Sequence, residues 1–100
     1  MTNANFTGAN LTGANLSNSN YNSGANFAGA ILIGANMSGS NVKGDNFTSA
    51  NLIGANLTNT TLKGATHLKT ATLTNVIWNK TTCPDGSLSN SDGGTRVGHL

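Results

Sequence analysis

Residues 4–17 read ANFTGANLTGANLS, a phrase of Ala-Asn-apolar-Thr-Gly spelled almost three times over. Following its apolar residue outward along the chain gives Phe6, Leu11, Leu16, Tyr21, Phe27, Leu32, Met37, Val42, Phe47, Leu52, Leu57, Leu62, Leu68, Leu73 and Trp78. These markers are five residues apart except for two steps of six, from Tyr21 to Phe27 and from Leu62 to Leu68. Two residues before each marker stands a small residue: Ala4, Ala9, Ala14, Ser19, Ala25, Ala30, Ala35, Ser40, Ala50, Ala55, Thr60, Thr66 and Ala71, with Asp45 and Val76 as the departures. Asn usually precedes the marker, and Gly, Asn or Ser usually follows it by two.

A period of five matches neither common template. On a helix it drifts by about 140° per repeat and smears the apolar residues around the axis. On a flat strand an odd period sends successive markers to opposite faces. The chain must therefore turn a corner once per repeat. Marker and small residue, two apart on a short extended piece, point inward, and the Gly, Asn or Ser beyond them suits the turn.

This tandem Ala-Asn-Leu-x-x pattern resembles the pentapeptide-repeat family over residues 4 to 78. The resemblance implies an all-β fold, a right-handed quadrilateral parallel β-helix with four repeats per coil. With that coil, the sides hold Phe6, Phe27, Phe47 and Leu68; Leu11, Leu32, Leu52 and Leu73; Leu16, Met37, Leu57 and Trp78; and Tyr21, Val42 and Leu62. All three phenylalanines then share one column, and both six-residue steps fall at one corner, with bulges expected near Gly24 and near Gly64 or Ala65. Nearly four coils make a rod roughly 19 Å long, stabilised by nearest-neighbour stacking.

Two segments follow from this register: a repeat region, 1–78, and a C-terminal capping segment, 79–100, rich in turn formers such as Pro84-Asp85-Gly86 and Asp92-Gly93-Gly94. Trp78 is large enough to seal the last coil, and Thr81-Thr82-Cys83-Pro84-Asp85-Gly86 is similar to the closing segment of bacterial repeat proteins. Relatives usually carry a second cysteine near the end, about where Arg96 stands here, so the resemblance implies a tail without a covalent clasp. At the other end Met1 is already in register, and a bare parallel edge invites pairing with another chain.

Only 8% of the residues are charged, so solubility rests on Asn, Thr, Ser and Gly. A net charge of +2 is too thin to indicate nucleic acid as a partner. Neither an 18-residue apolar run nor a signal-peptide pattern is visible, so a complete chain is expected in the cytoplasm. Cys83 is the only cysteine, which excludes an internal disulfide and the usual cysteine-rich zinc site.

The residue inventory argues against an enzyme. Asp45, Asp85 and Asp92 are scattered, and Asp45, at an inward position, is expected to bond turn amides in place of a small residue. His67 and His99 lie far apart without a carboxylate partner, and Cys83 has no nearby histidine or basic cluster to activate it. The paired glycines of GAILIG are set by the repeat and lack a following Gly-Lys-Ser/Thr, so no phosphate loop and no cofactor is indicated. The many Asn-x-Ser/Thr triplets are by-products of the repeat.

Function is therefore sought on the outer surface. The Leu16 side carries Asn15 and Ser17, Asn36 and Ser38, Asn56 and Thr58, a regular polar column. The Leu11 side carries Ile31, Ile33 and Ile53 between Thr12 and Thr74, and these three isoleucines are the interface candidates. Lys43 and Lys63 stack as a solvated ridge on the Tyr21 side. The expected role is a non-enzymatic structural or interaction module that binds an unidentified protein, or a second copy through the first coil or the isoleucine face. Two alternatives come from other classes. The resemblance suggests a gyrase-interacting DNA mimic, which a slightly basic chain with one acid in its coils fits poorly. The Asn and Ser/Thr columns suggest binding to a regular surface such as ice or polysaccharide.

Overall fold

The computed structural model describes residues 4–20 and 24–83. In it the chain pairs with itself through isolated parallel bridges rather than long strands: Asn5 with Asn26, Asn26 with Asn46 and Asn46 with Thr66 run down one side. Each bridge spans four repeats, 20 residues or 21 where an extra residue intervenes, so the winding has four sides. Side 1 carries Phe6, Phe27, Phe47 and Leu68, side 2 Leu11, Leu32, Leu52 and Leu73, and side 3 Leu16, Met37, Leu57 and Trp78. Side 4 carries Val42 and Leu62; Tyr21, expected to head that column, lies outside the described residues.

The hydrogen bonds of one repeat explain its spelling. Phe27 N–H donates down to Asn46 O at 2.7 Å, Gly29 N–H down to Thr48 O at 2.8 Å, and Asn26 N–H up to Ala4 O at 2.9 Å. A fourth bond, Ala30 N–H to Phe27 O at 3.0 Å, closes the corner. That turn needs positive φ two residues after the marker, a conformation that favours Gly and Asn; Gly29 has φ 67° and Asn59 φ 56°. At Gly39 the constraint is steric as well, because Asn18 Oδ1 occupies the space a Cβ would need.

The Asn before the marker has its own task. Among the described residues its Oδ1 accepts the N–H two residues on in nine repeats, as in Asn26 to Ala28 at 2.9 Å and Asn36 to Ser38 at 3.0 Å, an amide that no neighbouring coil reaches there.

Inside, the markers from Phe27 to Leu68 are fully buried, and Trp78 is nearly so. Phe27 stacks on Phe6 with ring centroids 4.9 Å apart and on Phe47 at 5.1 Å, both nearly parallel. Phe6, Leu11 and Leu16 in the first coil, and Leu73 in the last, are half-buried at the edges of the core. Side 4 replaces the inward Ala with hydroxyl residues. Thr60 Oγ1 donates to Met37 O and Thr81 Oγ1 to Leu57 O, each at 2.6 Å, and Ser40 Oγ donates to Leu16 O. Each hydroxyl thus ties its corner to the coil above, and a buried polar group is satisfied.

Three details differ from the sequence expectation. First, the extra residue of the second six-residue step is not at Gly64 or Ala65. Thr66 keeps the regular register, donating to Asp45 O at 2.9 Å and accepting from Phe47 N–H at 3.0 Å. His67 is the residue that departs, at φ 61°, and the 3-10 turn Leu68–Thr70 follows it. Ala65, buried, is the inward small residue there and Thr66 faces out, because the hydrogen-bond ladder fixes Thr66 before the irregularity begins.

Second, the two steps do not share a corner. The first lies between Asn20 and Asn26, entering side 1, and the second between Thr66 and Thr72, leaving it. Third, the winding runs on past Trp78. Thr82 bridges Thr61, and Thr81 and Cys83 are fully buried beneath Thr60 and Leu62. Inward positions select for size and polarity that can be satisfied, not for the Asn-Leu spelling, so Thr81 and Cys83 serve. Residues 84–100 of the expected cap, with Asp85, Asp92, Arg96 and His99, lie outside the described residues.

Candidate interaction surface

Among the described residues no three His, Cys, Asp or Glu side chains come together as a metal site, and no helix is long and apolar enough to cross a membrane. Among the same residues the winding encloses no pocket. What it offers is its outside, ordered into columns by the bridges.

Side 2 presents two such columns. Asn10, Ile31, Asn51 and Thr72 are joined by successive bridges. Thr12, Ile33, Ile53 and Thr74 follow beside them, linked through Gly13 N–H to Ile33 O and Gly34 N–H to Ile53 O at 2.8 Å, and Gly54 N–H to Thr74 O at 2.9 Å. Ile33 therefore lies directly above Ile53, with Ile31 two residues away on the same side. Ile33 is 36% exposed, and Ile31 and Ile53 are half-buried.

Ile31 is the unusual member. Every other residue in its class of position from Asn5 to Asn56 is Asn. Its neighbours in the column, Asn10 and Asn51, cap Thr12 N–H and Ile53 N–H at 3.2 Å. An isoleucine cannot accept that bond, so the Ile33 N–H has no cap from the residue two before it. The exchange gives up a hydrogen bond worth about 0.5–1.5 kcal/mol and adds exposed apolar surface instead.

Ile77, 49% exposed, is not among the candidates read from the sequence. It occupies the same class of position at the foot of side 3, below Asn15, Asn36 and Asn56. The signal is present, an apolar residue where the repeat writes Asn, but it stands outside the side-2 cluster.

The polar column of side 3 is internally bonded: Ser17, Ser38 and Thr58 hydroxyls donate to Asn15, Asn36 and Asn56 Oδ1 at 2.6–2.7 Å. Lys43 and Lys63 are exposed on consecutive coils of side 4, joined by Gly44 N–H to Lys63 O at 3.1 Å. Lys69 lies on side 1 in the 3-10 turn and His67 is exposed beside it. Cys83 is buried.

Asp45 is buried on side 1 among inward small residues. Its Oδ1 accepts the Ala25 N–H at 3.1 Å, while Oδ2 is buried without a hydrogen bond among the described residues. Burial, the largest influence, raises its pKa from 3.8 to about 6, against the opposing pull of the Ala25 and Gly24 amides and of the chain's α-amino charge.

Short, polar-coated and four-sided, the molecule is a parallel β-solenoid whose surface is written in columns. The model of pentapeptide repeats matches it in eight copies over residues 1–20, 23–44 and 46–77. The chain belongs to the pentapeptide-repeat family. Among solved structures it is similar to HetL, a pentapeptide repeat protein involved in heterocyst differentiation regulation from the cyanobacterium Nostoc sp. strain PCC 7120, at 31% identity and TM-score 0.51, covering 87% of this chain and 41% of that one. It is also similar to Rfr23 from the cyanobacterium Cyanothece 51142, at 31% identity and TM-score 0.46, covering 84% and 60%. A pentapeptide repeat protein from the Arabidopsis thaliana thylakoid lumen shares 30% identity at TM-score 0.41, covering 89% and 54%. The chain thus spans between 41% and 60% of the length of these relatives. No curated protein matches it.

Proposed function

We propose that this chain is a non-enzymatic interaction module that uses side 2 as its contact surface, with Ile31, Ile33 and Ile53 at the centre. The observation that carries the reading is Ile31, which replaces the Asn that caps its own turn in the surrounding repeats and thereby makes a contiguous apolar patch on a polar rod. Similarity to HetL, described as involved in regulation, supports a role in binding. The right-handed sense of the winding and a cap formed by the segment after Cys83 are part of the same proposal, resting on the family.

The partner tested first is a second copy of the chain. Sedimentation velocity across a concentration series compares the wild type with Ile31→Asn/Ile33→Thr/Ile53→Thr, which writes ordinary repeat residues into the patch. Assembly in the wild type and its loss in the variant is the expected result. A wild type that stays monomeric, or assembly equal in both chains, overturns self-association through this face.

A further inference from the structure

The upper edge of the first coil lacks the pairing that the coils below it have. In the second coil Asn26, Ile31 and Asn36 turn both backbone groups upward: their N–H groups donate to Ala4, Ala9 and Ala14 O at 2.9 Å, and their C=O groups accept from Phe6, Leu11 and Leu16 N–H at 2.7–2.8 Å. Asn5, Asn10 and Asn15 hold the same places one coil higher, yet among the described residues their backbone N–H and C=O groups bond to nothing. Apolar surface accompanies this open ladder. Phe6, Leu11 and Leu16 are half-buried, where Phe27, Leu32 and Met37 below them are fully buried.

We propose that this edge receives a second copy of the chain, seated edge to edge about a two-fold axis through Asn10, a contact separate from the side-2 face.

Two observations name that occupant. The first is that the edge complements itself. Under the two-fold the facing segments run antiparallel, Asn10 meets Asn10 of the second copy, and Asn5 meets Asn15. Residues that turn both N–H and C=O towards each other are what a hydrogen-bonded antiparallel pair needs, two bonds to each pair. Because the repeat is five residues long, one register serves all three sides. Leu11 then covers Ala9 of the second copy, Phe6 covers Ala14 and Leu16 covers Ala4, so each large inward residue lands on a small one.

The second observation is that the edge is undefended. Exposed sheet edges are ordinarily protected by charge or proline. Residues 4–20 contain no Asp, Glu, Lys, Arg or Pro, whereas Lys43, Lys63, Lys69 and Lys80 all stand in later coils. Two such edges meet without charge repulsion. The contact uses the same patch on both copies, so it closes at two instead of growing into a fibre.

Amide hydrogen exchange by NMR on the wild type, from dilute to millimolar protein, tests the contact without altering the chain. The Asn5 and Asn15 amides, on sides 1 and 3, should gain about tenfold or more protection with concentration. Exchange that is the same at every concentration overturns the proposal. The register is read by oxidising an equal mixture of Asn5→Cys and Asn15→Cys chains, in which the native Cys83 is buried. Paired residues about 5.5 Å apart at Cα are within disulfide reach, so links from residue 5 to residue 15 should outnumber 5-to-5 and 15-to-15 links, and adding Asn10→Lys to both chains should suppress them. Links without that preference, or undiminished by the lysine, overturn the edge-to-edge register; a side-2 contact or a head-to-tail stack produces neither effect.

Discussion

Two corners flanking side 1 absorb one extra residue each, and they do so by opposite means. Between Asn20 and Asn26 a buried carboxyl from the next coil, Asp45, takes the Ala25 amide. Between Thr66 and Thr72 the surplus is put outside: His67 turns away at φ 61°, Leu68 swings inward to full burial, and the corner bond Ala71 N–H to Leu68 O is kept at 3.1 Å. The first solution relies on a polar group in the core, the second on an exposed kink and an apolar plug. A repeat array tolerates both because each coil answers only to its neighbours.

Removing the apolar plug should have the larger effect. Leu68→Ala takes a fully buried side chain from the foot of the side-1 column and should cost about 2–5 kcal/mol, read from urea unfolding. A cost below about 1 kcal/mol would mean that the second corner is held by its backbone bonds alone.

Asp45→Ala breaks the polar solution and should cost less, about 1–3 kcal/mol, the penalty of removing the carboxyl that accepts the buried Ala25 N–H. Unlike the first, this loss depends on pH. It should be largest near pH 4, where the wild-type carboxyl is neutral, and shrink towards pH 7, where the wild type carries an uncompensated charge. A loss that grows with pH would show that Asp45 acts as a stabilising carboxylate and would reverse the contrast between the corners.

Much of this architecture is legible in the sequence, because a period of five joined to positive-φ residues fixes inward, outward and corner positions at once. The four-repeat coil stacks the phenylalanines correctly, and the same columns bring Ile31, Ile33 and Ile53 to one side. Asp45 is legible as a residue that bonds amides, though not which amide. The location of the second surplus is not legible, since a six-residue gap between Leu62 and Leu68 does not say which residue is extra. Only the bonds that lock Thr66 to Asp45 and Phe47 decide for His67. An end at Trp78 fails for a related reason: Thr81 and Cys83 lack the repeat's spelling but meet its inward requirements of volume and hydrogen bonding.

The smallest and most discriminating change is His67→Gly. A non-glycine residue in the left-handed region costs about 1–2 kcal/mol, and glycine removes that cost while adding freedom to the unfolded chain. Because the His67 side chain is exposed and its N–H and C=O geometry is independent of the imidazole, the net result should be a gain of about 0.5–1 kcal/mol, seen as a higher urea midpoint at unchanged slope. If the variant is instead destabilised, the imidazole contributes to holding the kink, and the second corner, like the first, depends on a side chain chosen for its polar atoms.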